Sequence, residues 1–275
     1  MRLAFFGDVV GKAGRRALSD HLPHLKHELS LDFVVVNAEN AAGGFGITET
    51  IANDLYGFGA DCLTLGNHSW DQREALTYIT REDRLLRPCN YPPDVEAPGK
   101  GANLYMLADG RRVAVISVLG RLFMDSLDDP FQAVERELNN LPLGTVADAV
   151  IVDVHAEATS EKMAMGHYCD GRASLVVGTH THIPTADAQI LPGGTAYQTD
   201  AGMCGDYDSV IGMKKEGSVA RFSTRLPTER MGPAEGEGTA CGVMIETDDK
   251  TGLAIRVEPI RVGGRLKEII PLPSN

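Results

Sequence analysis

The sequence predicts an α/β fold in which two sheets pack face to face between outer layers of helices. Short continuous runs rich in Val, Leu and Phe indicate strands that are covered on both faces. Their alternation with helical stretches in the first part of the chain favours a largely parallel sheet. Further along, pairs of strand-like runs flank turn sequences, which indicates hairpins added to the sheets.

The first third of the chain contains three strand and helix pairs. The predicted strands cover residues 2–7, 32–37 and 61–66. The predicted helices cover residues 13–29 and 48–57, and a third begins near Asp71. Each strand is short and apolar, and each helix has apolar residues at helical spacing, so this third predicts parallel strands joined by helices.

The remainder of the chain combines hairpins with one more strand and helix unit. The predicted hairpins pair residues 103–107 with 112–119, 186–191 with 195–199, and 241–247 with 253–260. Between the first two hairpins lie strands at 147–155 and 174–178 and a helix at 160–168. Residues 226–238 are rich in Pro, Gly and Glu and predict a loop. With no repeat or linker, residues 1–275 are expected to form a single domain.

Composition excludes several classes of function. The formal net charge of −12 disfavours a protein that follows long DNA or RNA through phosphate contacts. Apolar runs fall short of the ~20 residues of a membrane span, and the N-terminal run does not resemble a signal peptide. The five cysteines are scattered without a CxxC pair, which argues against a disulfide framework or a thiolate metal site. A cytoplasmic protein with no membrane partner is expected.

Polar residues with metal-binding capacity stand where the predicted strands end. In chain order they are Asp8, Glu39, Asn40, Asn67, His68, His155, His180 and His182. In open α/β sheets the ligand crevice lies outside the carboxyl ends of the strands, so these side chains are expected to converge. Carboxylate, amide and imidazole groups suit Fe, Mn or Zn.

Each of these residues also has a plain structural interpretation. An Asp after a strand is commonly a turn or cap residue, and Asn67 alone would be a turn residue. His180 and His182, at i and i+2 of an extended segment, would point to one side. The ordered combination with α/β spacing is much harder to explain by structure alone, and it favours a metal site.

Longer phrases carry a resemblance to a known family. They are FFGDVVG, NAENAAGGFG, TLGNHSWD, RPCNYP, VDVHAEATSEK, GTHTHIPTAD and GGTAYQTDAGM, and they run from residue 5 to about residue 203. Their order resembles the calcineurin-like metallophosphoesterases, and more closely the YmdB-like family of 2′,3′-cyclic-nucleotide phosphodiesterases. The resemblance implies a four-layer αββα sandwich of the metallophosphoesterase type.

The sequence departs from the wider superfamily at three positions. Val10 stands where most members have the histidine of an Asp-x-His motif, and Glu39 stands where most have a bridging Asp. Ala42 occupies the place of a second Asp, which in many relatives orients the histidine of GNH. His68 therefore needs another partner, and Asp71 and Glu157 are both candidates.

The resemblance implies two metal ions per chain, with iron preferred and manganese as the alternative. One ion would be held by Asp8, Glu39, Asn40 and His182. The other would be held by Glu39, Asn67, His155 and His180, so that Glu39 bridges. His68 would be the proton donor.

The implied activity is hydrolysis of 2′,3′-cyclic nucleotides to 3′-nucleotides by a metal-held hydroxide. Two alternatives stay open at the level of sequence. One is a broader phosphodiesterase or phosphomonoesterase acting on RNA ends, and the other is a nucleotide-binding regulatory protein with incidental turnover. The metal cluster alone does not separate them, because one metal centre supports many substrates. The expected partner is a small cyclic nucleotide and no long nucleic acid, and assembly into a homo-oligomer is left open.

Overall fold

The computed structural model describes residues 1–226 and 231–272, and it contains two six-stranded sheets. The strands of the first sheet are β1 (Arg2–Phe6), β2 (Phe33–Asn37), β3 (Cys62–Thr64), β4 (Leu85–Leu86), β11 (Ala240–Thr247) and β12 (Ala254–Val262). Their order is β12-β11-β1-β2-β3-β4. The strands β1 to β4 run parallel, and β11 pairs antiparallel with both β1 and β12.

The second sheet has a parallel centre with an antiparallel strand at each edge. Its strands are β5 (Ala102–Met106), β6 (Arg112–Leu119), β7 (Ala149–His155), β8 (Leu175–Thr179), β9 (Gln189–Ile190) and β10 (Ala196–Gln198). Their order is β5-β6-β7-β8-β10-β9. The predicted hairpins are confirmed, although β9 and β10 are shorter than expected because only Ile190 and Ala196, and Gln189 and Tyr197, pair.

Five helices cover the outer faces of the two sheets. They are α1 (Gly11–Glu28), α2 (Glu49–Phe58), α3 (Ala75–Tyr78), α4 (Pro130–Asn140) and α5 (Thr159–Tyr168). One more helix, α6 (Lys215–Thr224), contributes no residue to the apolar clusters. Apolar residues of α1, α2 and α3 pack on the first sheet, and those of α4 and α5 pack on the second. A third apolar cluster fills the space between the sheets. The predicted four-layer αββα sandwich is confirmed.

The helices agree only in part with the prediction. Helix α1 covers the predicted helix and contains Pro23, because burial of Leu18, Leu22 and Leu25 at roughly 1.5–3 kcal/mol each outweighs the ~3 kcal/mol cost of an internal proline. Helix α4 was not predicted, although Asp129 caps it by accepting from the main-chain N–H of Phe131 at 2.9 Å.

Three further elements are shorter than predicted or were not predicted. Strand β4 has two residues, and α6 was not predicted. The helix expected from residue 71 is the four-residue α3. Of the predicted loop 226–238, residues 227–230 lie outside the described residues, and the rest forms neither a helix nor a named strand. No helix in the described part of the chain is long and apolar enough to span a membrane.

Candidate metal centre

The carboxyl ends of strands from both sheets meet at one place. Asp8, Glu39 and Asn67 follow β1, β2 and β3 of the first sheet, while His155 ends β7 and His180 follows β8 of the second. The imidazole Nε2 of His155 lies 3.0 Å from a Glu39 carboxylate oxygen, across the gap between the sheets. The strand-end residues predicted from the sequence are therefore brought together between the two sheets.

His155 Nε2 is the point on which the site converges. It lies 3.0 Å from Asn67 Oδ1, 3.0 Å from Glu39 Oε1 and 3.1 Å from His180 Nδ1. On the other side of the ring, Nδ1 lies 2.8 Å from the hydroxyl of Thr179. These distances make His155 the centre of a network of possible ligand atoms.

Thr179 determines which nitrogen of His155 carries a proton. Its hydroxyl donates to Asp153 Oδ1 at 2.7 Å, so it must accept from His155 Nδ1–H. In the neutral ring Nε2 therefore has a lone pair, and this lone pair faces the oxygens of Asn67 and Glu39. Repulsion among these lone pairs would be relieved by a cation placed among them.

The other two histidines are oriented in the same way by partners outside the cluster. His180 Nε2 lies 3.3 Å from Glu157 Oε2, which leaves Nδ1 facing His155. His182 Nδ1 lies 2.8 Å from the carbonyl oxygen of Ile211, which leaves Nε2 facing Asp8 at 3.7 Å. The hydrogen bond from His182 to Ile211 is of a kind typical of metal-binding histidines, because it fixes the tautomer and the plane of the ring.

The shifted pKa values describe a site in which carboxylates and neutral imidazoles would stabilise a positive charge. Burial acts to raise the pKa of Glu39, but the nearby His155 ring lowers it to about 2, so Glu39 is a carboxylate. Burial and His155 together lower the pKa of His180 to about 3, which keeps that ring neutral. Burial acts to lower the pKa of His155, but Glu39 and Asp8 raise it to about 9. His155 thus takes up a proton where a metal ion would otherwise neutralise the carboxylates, and binding a metal would release that proton.

The donor set fits a metal on two further observations. One oxygen of Glu39 and one nitrogen each of His155 and His180 lie within 4.8 Å of one another. Asn40 is buried, and its Nδ2 donates to the Gly44 carbonyl oxygen at 3.0 Å while its Oδ1 has no hydrogen-bond partner. A buried oxygen without a partner costs ~1–3 kcal/mol, and a metal ion would satisfy it.

Gly66 allows the main chain to approach the cluster closely. A Cβ at this position would lie 2.3 Å from His155 Cδ2 and 2.4 Å from Glu39 Oε2. Any side chain at residue 66 would therefore displace two of the proposed ligands. This close approach explains in physical terms why a glycine precedes Asn67 and His68.

His68 lies at the edge of the cluster. Its main-chain N–H donates to Glu39 Oε2 at 2.9 Å, and its ring Nδ1 lies 2.8 Å from Asp71 Oδ2. The His68 ring and the Phe45 ring pack in an edge-to-face arrangement, with 5.1 Å between the ring centroids. Of the two candidate partners, Asp71 contacts the ring of His68, and Glu157 contacts His180 instead.

The conformation of the GTHTH segment was predicted wrongly. His180 and His182 have φ angles of 91° and 67°, so they occupy the left-handed region and do not form an extended segment. Such a conformation costs a non-glycine residue ~1–3 kcal/mol. The main-chain N–H of His180 donates to both oxygens of Asp8 at 3.2 Å, which helps to hold the turn. Both side chains still reach the cluster, but from a turn.

Sequence reasoning missed the buried residues behind the ligands. Asp153 accepts hydrogen bonds from Asn37, Thr64 and Thr179, which come from both sheets. Its burial raises its pKa to about 6. Alternation along β7 is the one signal that could have found it, because Asp153 is a polar residue two positions before His155 in an otherwise apolar strand.

The sequence model of the YmdB-like protein family matches residues 4–260. The chain belongs to this family. A protein of Bacillus subtilis (strain 168) named 2′,3′-cyclic-nucleotide 2′-phosphodiesterase is 47% identical over 262 residues, which cover 95% of this chain and 97% of that protein. The resemblance drawn from the motif phrases is thereby confirmed.

Two solved structures that are similar to this chain confirm the fold. A hypothetical protein from Thermus thermophilus is 43% identical with a TM-score of 0.88, and the match covers 96% of this chain and all of that one (100%). A novel phosphatase from Mycoplasma pneumoniae is 34% identical with a TM-score of 0.89, covering 96% and 93%. The YmdB-like chain thus shares its architecture with a phosphatase across nearly its whole length.

Proposed function

We propose that the chain is a dinuclear-metal phosphodiesterase that hydrolyses 2′,3′-cyclic nucleotides to 3′-nucleotides. The observation that carries the proposal is the convergence of Glu39, Asn67 and His180 on Nε2 of His155. Membership of the YmdB-like family, together with the name of the Bacillus subtilis relative, supports the choice of substrate.

The proposed ligand sets follow the two halves of the cluster. Glu39, Asn67, His155 and His180 would hold one ion, and Asp8, Glu39, Asn40 and His182 would hold the other. The distances around His155 support the first set, and the 3.7 Å between Asp8 Oδ1 and His182 Nε2 supports the second. The unpartnered Oδ1 of Asn40 supports its inclusion in the second set. Bound metal ions would activate a water molecule and offset negative charge on the phosphoryl group.

The protein supplies charge and a proton. Asp8 and Glu39 bring about two negative charges against four or more from two ions, so the site would attract a phosphodiester even though the chain is acidic. A ribose oxygen is a poor leaving group unless it is protonated as it departs. His68, held at the edge of the cluster by Asp71, is proposed to give that proton.

We expect two metal ions per chain, and iron or manganese ahead of zinc. The proposed ligand atoms are oxygen and nitrogen only, which suits these metals, and Glu39 is proposed for both ligand sets. Elemental analysis of the purified protein, with anomalous scattering from crystals, measures both the number and the identity of the metal ions. One ion per fully loaded chain, with Glu39 directed away from it, would contradict the bridging role.

We expect 3′-AMP as the product from 2′,3′-cyclic AMP, with no further loss of phosphate. The acid must lie on the side of the departing oxygen, so the bound pose determines which ribose oxygen leaves. Chromatography against 2′-AMP and 3′-AMP standards distinguishes the outcomes, with short RNA as a parallel substrate. Mainly 2′-AMP would mean that the pose is reversed, and adenosine would favour a phosphomonoesterase. Nucleotide binding with negligible turnover would favour the regulatory protein.

The domain organisation, the cellular location and the partners of the protein are part of the same proposal. The metal site draws on residues from Asp8 to His182, and β11 pairs with β1, which supports a single domain over residues 1–275. A cytoplasmic location is supported by the five cysteines, all of which are free and buried. The name of the Bacillus subtilis relative supports a small cyclic nucleotide as partner, and the net charge of −12 disfavours long nucleic acid. Light scattering would determine whether the chain forms a homo-oligomer.

A further inference from the structure

A buried ion pair lies directly behind the GTHTH segment. Lys162 of α5 donates from Nζ to Asp200 Oδ2 at 2.7 Å, and both side chains are only 1% exposed. Removing two charges from water is costly, and apolar replacements of such pairs are often as stable as the pair itself. Stability alone therefore does not explain why the pair is present at this position.

The carboxylate of Asp200 is used fully by neighbouring donors. Besides Lys162, its Oδ2 accepts from the hydroxyl of Thr181 at 2.7 Å and from the main-chain N–H of Thr181 at 3.2 Å. Its Oδ1 accepts from the main-chain N–H of Gly202 at 2.8 Å. Asp200 thus holds both polar hydrogens of Thr181, and Lys162 fixes the carboxylate that does so.

Thr181 is the residue between the two histidines in left-handed conformation. His180 and His182 have φ angles of 91° and 67°, and unfavourable angles of this kind persist only where the surroundings impose them. Their rings diverge, since His180 Nδ1 faces His155 at 3.1 Å and His182 Nε2 faces Asp8 at 3.7 Å. A small rotation at Thr181 would move both rings away from these partners at once.

We propose that Asp200, held by Lys162, is a positioning residue that presents His180 and His182 to two separate metal ions through Thr181. The inference rests on the metal centre of the proposed function. It gives a role to Lys162 of VDVHAEATSEK and to Asp200 of GGTAYQTDAGM, neither of which is a proposed metal ligand. The hydroxyl of Thr181 is the sensitive point, because it is the side-chain link between the ion pair and the histidine turn.

The test compares three single variants. Thr181→Val removes the hydroxyl with little change of shape, and Thr181→Ser keeps it. Thr185→Val is the matched control, because the Thr185 hydroxyl contacts the main chain of Asp200 and not its carboxylate, accepting from the N–H at 2.9 Å and donating to the carbonyl oxygen at 3.2 Å, and it also contacts the Asp187 carboxylate. Calorimetric titration of the metal-depleted proteins with Mn²⁺ should show affinities roughly 10–100-fold weaker for both ions in Thr181→Val, the range found for outer-shell partners. Thr181→Ser should return to the parent value.

Two further measurements separate positioning from loss of structure. The melting temperatures of metal-free Thr181→Val and Thr185→Val should fall by similar amounts, while only Thr181→Val loses the EPR signal of coupled Mn²⁺ ions. Equal loss of Mn²⁺ affinity in both variants, or none in Thr181→Val, would overturn the inference. A parent protein that binds fewer than two Mn²⁺ ions would overturn the dinuclear centre itself, so the two failures are distinguishable.

Discussion

Replacement of His68 by alanine is expected to lower turnover of 2′,3′-cyclic AMP by about 10²–10⁴-fold while both metal ions stay bound. The proposed metal ligands do not include the His68 side chain, which contacts Asp71 and Phe45 at the edge of the cluster. The contact of His68 with Glu39 comes from its main-chain N–H, which alanine preserves. Steady-state kinetics and metal analysis of the same preparation measure both parts of this expectation.

The leaving group provides the control for His68. A p-nitrophenolate departs without needing a proton, so the same variant should lose much less activity on p-nitrophenyl phosphodiesters. Asp71→Asn should have the same pattern in weaker form, because it changes the orientation of the ring and leaves the ring in place. Equal losses on both substrates would mean that His68 binds the phosphate and does not act as an acid.

Replacement of Glu39 by glutamine is expected to lower turnover by at least about 10³-fold and to lower the metal content below two ions per chain. Glu39 is the only carboxylate proposed for both ligand sets, and its low pKa keeps it charged. Loss of a bridging charge removes several kcal/mol of transition-state stabilisation, at about 1.4 kcal/mol for each tenfold change in rate. Metal analysis with kinetics at saturating Mn²⁺ is the measurement.

Glu161→Gln is the matched control for that variant. Glu161 is another buried carboxylate bound to main-chain N–H groups, those of Arg121 at 2.9 Å and Leu122 at 3.2 Å. It belongs to no proposed ligand set, so its substitution should cost stability with two ions retained. If Glu39→Gln keeps two ions and near-parent turnover, the bridging assignment is wrong.

The layers and the meeting of the strand-end residues at the candidate metal centre were predictable because both follow from local patterns. Buried strands appear as continuous apolar runs, and parallel strands joined by helices must place their carboxyl ends at one edge. A polar residue directly after such a run, as at Asp8 or Asn67, is therefore directed to a shared location. The long motif phrases then identified the family without any need for tertiary contacts.

The parts that sequence did not predict depend on contacts between distant residues. The partner of His68 was undecided because Asp71 and Glu157 both lie near candidate site residues, and only the fold brings Asp71 to 2.8 Å from the ring. The left-handed turn at His180 and His182 is imposed from outside, partly by Asp8, which lies 172 positions earlier in the chain. No local propensity encodes such an effect.

The position of the cluster between the sheets would link metal binding to folding. Glu39 and Asn67 belong to one sheet and His155 to the other, so an ion bound to all three would crosslink the two halves of the sandwich. A ligand that binds only the folded chain at 1,000 times its dissociation constant adds about 4 kcal/mol of stability, against a typical total of about 5–15 kcal/mol. A cell short of the metal would then lose folded protein to proteolysis as well as turnover, and the abundance of the enzyme would follow the supply of the metal.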